Sequence, residues 1–185
     1  GKECAVTLSA GGNVEIVNKS GMAVYGLLTV AKAQNVTIGG GGNTLLSSAS
    51  ITASGTVKMG SDGIMCSNGL TITGAETVDI AGEASSAPVV RGMTLRDCGT
   101  ASVTRLGTES AAPIAETIDS DIPVLLYNGP NDNKPQLLWN GVTYQKADTT
   151  GRYDMAPTHT TAVYYEAGNG YVMFSQLSNS DPTNG

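Results

Sequence analysis

Short runs of alternating apolar and polar residues recur along most of the chain, separated by corners rich in Gly, Asn and Ser. Three examples are AVTLSAGGNVEIV (5–17), LLTVAKAQNVTIG (27–39) and GLTITGAETVDIAG (69–82). Each follows the order apolar, Thr, apolar, corner, Val, polar, apolar. Alternation with a period of two is typical of a strand with one buried face. The pattern therefore predicts short strands that return at a nearly constant spacing.

Aligning the first apolar residue of each repeat gives a period of about two dozen residues. The aligned residues are Val6, Leu28, Ile51, Leu70, Met93, Ile118 and Val142. A second strand begins at Val14, Val36, Val57, Val78, Val103 and Val124. A third apolar patch follows at Val24, Leu45, Met65, Val89, Ile114 and Leu137, which predicts three short strands per repeat. In the fifth repeat Arg105 occupies an inward position, so a bulge that turns Leu106 inward instead is expected there.

A repeat of this size cannot bury its own apolar face and must stack on copies of itself. The predicted fold is therefore all-β, a single-stranded right-handed parallel β-helix of about six coils with a C-terminal aromatic β-hairpin cap. The predicted divisions are a β-helix over 1–140, a hairpin cap packed on the last coil over 141–178, and a polar tail or linker over 179–185.

These repeats resemble the right-handed parallel β-helix of the pectin-lyase-like superfamily and its non-enzymatic relatives among bacterial surface proteins. The resemblance covers residues 5 to about 140 and rests on period and pattern. It implies an extracellular or cell-surface protein. Lyases and hydrolases on this fold carry clustered Asp, Lys and Arg on an outer face for acid–base chemistry.

The sequence contains no comparable ionic cluster. Its densest ionic patch in the repeats is Arg96 with Asp97, near Arg91 and Arg105, and we interpret it as a solvated corner salt bridge. We predict no catalytic residue, metal ligand or cofactor.

The Thr residues that follow the aligned apolar positions are expected to form an outward column on the stacked strands. They are Thr7, Thr29, Thr52, Thr71 and Thr94, with Asp119 interrupting the column. A β-branched residue suits an exposed strand position, so the column has a purely structural interpretation. The alternative is a flat hydroxyl face that binds an ordered polymer such as a polysaccharide, or ice. One outward Thr per coil and the Asp119 interruption argue against ice.

Eight of the nine aromatic residues lie between Tyr127 and Phe174, so a different structure is expected there. The stretch AVYYEAGNGYVMF (162–174) predicts a hairpin that turns at a Gly-Asn-Gly sequence. A solenoid needs a covered last coil, and the hairpin is a candidate lid. The competing hypothesis is a ligand-binding platform in which Trp139 and Tyr164 or Tyr165 stack on a sugar ring, with Asp154 or Asn169 as a hydrogen-bonding partner.

Composition narrows the classes of partner. The chain has 16 acidic and 10 basic residues, a net charge of -6 and no basic run, which argues against nucleic acid. No apolar run is long enough to suggest membrane insertion. The three cysteines are widely spaced, with no zinc or disulfide pattern, and are expected to be buried thiols.

The function expected from these features is a non-catalytic β-solenoid module of a secreted or cell-surface bacterial protein that binds carbohydrate or mediates adhesion. Its expected partner is a polysaccharide or a host surface glycan, and the module is expected to belong to a larger chain. Two alternatives stay open. One is a polysaccharide lyase or glycoside hydrolase on a β-helix, and the other is a phage or adhesin fibre segment, which requires trimerisation.

Overall fold

The computed structural model describes residues 4–21, 23–41, 44–83, 87–129, 135–139, 142–146, 152–155, 161–166 and 171–176, with only the backbone described for 44, 139 and all later residues. The described segments consist of β-strands and their connections, and no helix occurs among them. The strands in chain order are β1 (Cys4–Ser9), β2 (Val14–Asn18), β3 (Val24–Ala33), β4 (Val36–Gly40), β5 (Thr44–Ala53), β6 (Thr56–Ser61), β7 (Ile64–Thr73), β8 (Thr77–Gly82), β9 (Val90–Arg96), β10 (Thr100–Arg105), β11 (Ala115–Ser120), β12 (Val124–Asn128), β13 (Gln136–Trp139), β14 (Val142–Lys146), β15 (Arg152–Met155), β16 (Thr161–Glu166) and β17 (Tyr171–Gln176).

These strands wind into a parallel β-solenoid of about five turns, which confirms the predicted all-β parallel fold. Within the described residues the odd-numbered strands β1 to β11 form a six-stranded parallel sheet, here sheet A. The even-numbered strands β2 to β12 pair in parallel in a second sheet, here sheet B. Each turn contributes one strand to each sheet, and the apolar residues of both sheets meet in the space between them.

The core consists of columns of apolar side chains, each stacked on its counterpart in the next turn. The two columns of sheet A are Val6, Leu28, Ala49, Leu70, Met93, Ile118 and Leu8, Val30, Ile51, Ile72, Leu95, Ser120. The two columns of sheet B are Val14, Val36, Val57, Val78, Ala101, Val124 and Ile16, Ile38, Met59, Ile80, Val103, Leu126. Stacking of this kind removes nearly all of each apolar side chain from water in the central turns.

Two predicted alignments are wrong by two residues. Ala49, not Ile51, stacks between Leu28 and Leu70, and in sheet B Ala101, not Val103, stacks on Val78. Because side chains alternate with a period of two, a shift of two residues leaves the same face buried. Alternation alone therefore cannot distinguish the two alignments.

Each turn has two strands and not the predicted three. The third apolar patch is buried as expected, but in the central turns it lies inside the ten-residue strands β3, β5 and β7, which continue into the next predicted strand. The register shifts within these strands, and β3 and β7 each carry an extra residue there relative to β5. A bulge thus replaces the corner that the sequence suggested.

The fifth turn does not contain the predicted bulge that would bury Leu106. Strand β10 pairs with both neighbours without a register shift, Arg105 points inward and is fully buried, and Leu106 is exposed. The guanidinium donates to four backbone carbonyls of the neighbouring connections, which satisfies it in its buried position.

The winding changes after β12. Strand β13 pairs antiparallel with β12, and β14 to β17 continue sheet B as an antiparallel meander. Val142 therefore lies in an antiparallel strand and does not begin a seventh coil. The predicted hairpin is present as β16 and β17, while its turn at 167–170 and its side chains lie outside the described residues. That the hairpin packs as a lid stays a prediction.

Candidate binding surface on sheet A

The outer face of sheet A carries a column of hydroxyl side chains in register. Thr7, Thr29, Ser50, Thr71 and Thr94 are paired from strand to strand, and Asp119 follows them as expected. We call the five residues the hydroxyl ladder. Ser50 takes the place of the predicted member Thr52. The alignment of β5 is shifted by two residues, which also puts Ala49 where Ile51 was expected. Neighbouring hydroxyls are one strand spacing apart, about 4.8 Å.

Thr52 belongs to a second outward column, where it pairs with Thr73. The expectation of one outward hydroxyl residue per coil is therefore wrong for β5 and β7, which present Ser50 with Thr52 and Thr71 with Thr73. This second column is short, because it continues from Thr73 to Arg96. An ionic residue thus borders the hydroxyl-rich area on one side.

A groove lies beside the ladder, at the level of the bulges in β3 and β7. Its volume is about 560 Å³, and seven residues from four neighbouring strands line it. We call it the bulge groove, and its lining residues are Cys4, Ala5, Gly26, Leu27, Ser47, Ser48 and Asn68. Sequence reasoning missed this groove, since a bulge inside an alternating run leaves little trace. The run of Ser47, Ser48, Asn68 and Gly69 was the available signal.

Close contacts fix the shape of the groove. Gly26 has a φ of 127°, and a Cβ atom there would overlap the backbone carbonyl of Cys4. The buried Cys66 thiol lies 3.2 Å from the carbonyl oxygens of Ser47 on β5 and of Gly69 on its own strand β7, and its single S–H is shared between these two acceptors. Burial raises the pKa of Cys66, which keeps the thiol protonated and able to donate.

Polar groups are directed along the same groove. The Asn68 side-chain amide donates to the Ser47 hydroxyl at 3.0 Å. This bond leaves the Asn68 carbonyl as an acceptor and the Ser47 hydroxyl proton as a donor. Leu27 and Tyr25 are apolar and large and are 46% and 51% exposed on the outer face of β3. The groove thus combines hydrogen-bonding groups with exposed apolar surface.

The predicted ionic patch is a set of ionic and hydrogen-bonding contacts that links the end of β9 to the end of β11. Arg96 forms an ion pair with Asp119 and also donates to the Asp119 carbonyl oxygen at 3.0 Å. The hydrogen bond with Asp119 raises the pKa of Arg96. The backbone N–H of Asp97 donates to the Asp121 carboxylate at 2.8 Å. Arg105 does not take part, because it is buried elsewhere.

The expected neighbours Lys58 and Asp79 are register partners on β6 and β8, as predicted. Asp79 accepts a hydrogen bond from Ser102 on the next strand at 3.4 Å. In the described part of the chain the ion pair is formed by Arg96 and Asp119 instead. This outer face of sheet B therefore offers a mixed polar surface.

The predicted aromatic platform is distributed over three strands. Trp139 lies in β13, Asp154 in β15, and Tyr164 and Tyr165 in β16, and only their backbone is described. The register from β13 to β16 places Trp139 and Tyr165 on one face of the sheet. It places Asp154 and Tyr164 on the other face. A shared sugar platform at these residues stays a prediction.

Two features are absent from the residues that the structure describes. No group of three or more His, Cys, Asp or Glu side chains there is arranged to hold a metal ion. Nor does any helix among them have the length and apolar character needed to cross a membrane.

Comparison with known proteins adds no relative. No protein-family model matches the chain, and neither a curated protein nor a solved structure does. The resemblance to pectin-lyase-like proteins is thus supported only at the level of a parallel β-solenoid.

Proposed function

We propose that the chain is a non-catalytic β-solenoid module of a secreted or cell-surface bacterial protein, and that the outer face of sheet A binds a polysaccharide or a host surface glycan. The observation that carries the proposal is the hydroxyl ladder, with its five residues in register on consecutive strands. The secreted or cell-surface location is proposed because the parallel β-solenoid resembles the fold of bacterial surface proteins.

A hydroxyl ladder suits a polymer with repeating hydroxyl groups. Each Thr or Ser hydroxyl donates one hydrogen bond and accepts others, so it can match a sugar hydroxyl in either role. The ladder strands are hydrogen-bonded on both sides, except for β1 at the edge of sheet A. Their positions are therefore fixed before binding, which lowers the entropy cost of ordering the site.

Co-sedimentation with insoluble polysaccharides tests the proposal. The panel contains cellulose, chitin and xylan. We expect the wild-type chain to bind at least one of them. The double variant Ser50→Val and Thr71→Val removes two neighbouring ladder hydroxyls and should weaken that binding about tenfold or more, since each lost hydrogen bond costs about 1 kcal/mol.

The matched control is Thr37→Val. Thr37 is exposed on the outer face of sheet B, so the same chemical change there should leave binding intact. Failure of the wild-type chain to bind any polysaccharide at high protein concentration would overturn the proposal. Equal loss with the Thr37 variant would assign binding to general surface polarity.

A further inference from the structure

We propose that the bulge groove is a binding site for an uncharged glycan chain, which would lie across strands β1, β3, β5 and β7. This inference rests on the proposed function and names both the ligand class and the residues that would select it. The ladder lies on the strand surface, and the groove is an open depression beside it on the same face.

The size of the groove agrees with this assignment. Its volume of about 560 Å³ falls within the range of small-molecule sites, roughly 300 to 1,000 Å³. It crosses four strands, a distance of about 14 Å at the usual strand spacing. A ligand that fills it must therefore be elongated, and it must run along the stacking direction of the solenoid.

The lining supplies both parts of sugar recognition. Ser47, Ser48 and Asn68 provide hydroxyl and amide groups for the sugar hydroxyls. Leu27 provides apolar surface for the C–H face of a ring. Tyr25 is not one of the lining residues, but it is the chain neighbour of Gly26 and is 51% exposed, so we expect a glycan that extends beyond the groove to meet its ring.

Charge selects between neutral and acidic glycans. None of the seven lining residues is charged, and the chain as a whole carries a net charge of -6. A polymer of uronic acids would meet no cation in the groove and would be repelled by the net charge. A neutral chain carries no such penalty, so the site favours it.

Specific contacts hold the backbone around the groove. Gly26 permits β1 and β3 to approach closely, and the Cys66 thiol ties the bulge in β7 to β5. Binding therefore requires little reorganisation of the backbone, and a bulky side chain introduced at the centre of the groove should block the ligand directly. Ser48 is the suitable position, because it lies between Leu27 and Gly69 in the register.

Isothermal titration with three soluble probes tests the inference: cellohexaose, xylohexaose and hexagalacturonate. We expect wild-type protein to bind a neutral hexasaccharide and to bind hexagalacturonate at least about tenfold more weakly, a difference of about 1.4 kcal/mol. Ser48→Phe should weaken binding of the neutral probe at least about tenfold. Thr37→Phe places the same ring on sheet B and should have no effect. Asn68→Ala, at an exposed position, should weaken binding even if Ser48→Phe fails to fold.

The outcomes separate this inference from the proposed function. If insoluble polysaccharide binding is lost with the ladder variant but kept in full by Ser48→Phe and Asn68→Ala, the function stands and the groove assignment is overturned. Tighter binding of hexagalacturonate than of both neutral probes overturns the neutral ligand class. If the wild-type chain binds neither the soluble nor the insoluble panel, both proposals fall.

Discussion

The corner that leads from each strand of sheet B to the next strand of sheet A is built differently in the early and late turns of the solenoid. The last residues of the parallel strands of sheet B stack on one another in a column. They are Asn18, Gly40, Ser61, Gly82, Arg105 and Asn128. In the central turns this residue is small. In the fifth turn it is an arginine whose side chain is fully buried.

The connections from sheet B to the next strand of sheet A also differ in length between the early and late turns. Three residues separate β4 from β5 and two separate β6 from β7, whereas seven separate β8 from β9 and nine separate β10 from β11. The two longer connections supply backbone carbonyls to the Arg105 guanidinium. Its acceptors are the carbonyls of Ala87, Ser110, Ala112 and Pro113, at 3.0 to 3.4 Å, together with Asn128 Oδ1.

The comparison shows that the length of a corner depends on what fills it. After Gly40 and Ser61 the small side chain needs no group of carbonyl acceptors, and the next strand begins within two or three residues. Gly82 is also small, but the connection that follows it is long, and its Ala87 carbonyl accepts from the Arg105 guanidinium. A buried guanidinium needs several acceptors, because an unsatisfied buried charge is costly. Longer connections can curl around it and provide those acceptors. Burial lowers the pKa of Arg105, in keeping with the water it has lost.

The largest expected effect comes from Arg105→Ala. It leaves a cavity and removes the donors from four carbonyls, so we expect the free energy of unfolding to fall by about 3 kcal/mol or more. Urea unfolding followed by circular dichroism measures this. Arg105→Lys keeps the charge but has fewer donors and should fall in between. Arg91→Ala, at an exposed position, should stay within about 0.5 kcal/mol of wild type. Equal stability of the Arg105 and Arg91 alanine variants would remove Arg105 as the organiser of this corner.

The next effect concerns the same column in a central turn. A Cβ atom on Gly40 would overlap the Asn18 carbonyl oxygen, so Gly40→Ala should destabilise the protein by about 2 kcal/mol. Gly60 is also in sheet B, but a Cβ atom there meets nothing within 4 Å. Gly60→Ala is the control and should change stability by less than about 0.5 kcal/mol. A result in which both variants behave alike would show that the small residues of the column are not required by packing.

The central turns could be predicted from the sequence because local and global requirements agree there. Alternation indicated the buried face, and the spacing indicated stacking, so Leu28 and Leu70 were correctly assigned to one column. The position of Ile51 could not be fixed, because a shift by two residues preserves the buried face. That choice depends on the bulges in β3 and β7, which are set by contacts between turns.

The fifth turn and the candidate site were harder to predict. A buried arginine violates the usual pattern, and its acceptors lie up to 23 residues away in sequence. The bulge groove likewise forms from four strands separated by whole repeats, and no local pattern reports such proximity. The hydroxyl ladder was predictable apart from one member, since it repeats with the same period as the core.

A smaller effect on stability is expected from the buried thiols, one in each region. Burial raises the pKa of Cys66, in a central turn, and of Cys98, in the corner between β9 and β10 of the fifth, above the ordinary value of 9.0. The folded state then holds these protons more tightly than the unfolded chain does. Stability from this source is complete below pH 9.0 and declines as the pH rises above 9.0. Urea unfolding in steps from pH 8 to pH 10 measures the decline.

Thiol labelling adds a spatial test of the same two regions. Cys4 is exposed, Cys98 is 7% exposed and Cys66 is fully buried. We expect a disulfide reagent to label Cys4 first in the native protein, then Cys98, and Cys66 last. Labelling of Cys66 before Cys98 would show that local opening of the central turns, and not the exposure of each thiol in the folded state, sets the order.

The smallest effect is expected for the ion pair between Arg96 and Asp119, which links the fifth turn to the sixth strand of sheet A. The Asp119 side chain is 72% exposed and the Arg96 side chain is 41% exposed, so water screens their attraction and ordering them costs entropy. Asp119→Asn should leave the urea midpoint unchanged at moderate salt, while Glu116→Gln, at an exposed position of the same strand, serves as a control that removes the same charge. A clear loss of stability with Asp119→Asn alone would mean that the late turns depend on surface pairing as well as on the Arg105 corner. The contrast between the two regions would then lie in the whole fifth turn and not in one buried side chain.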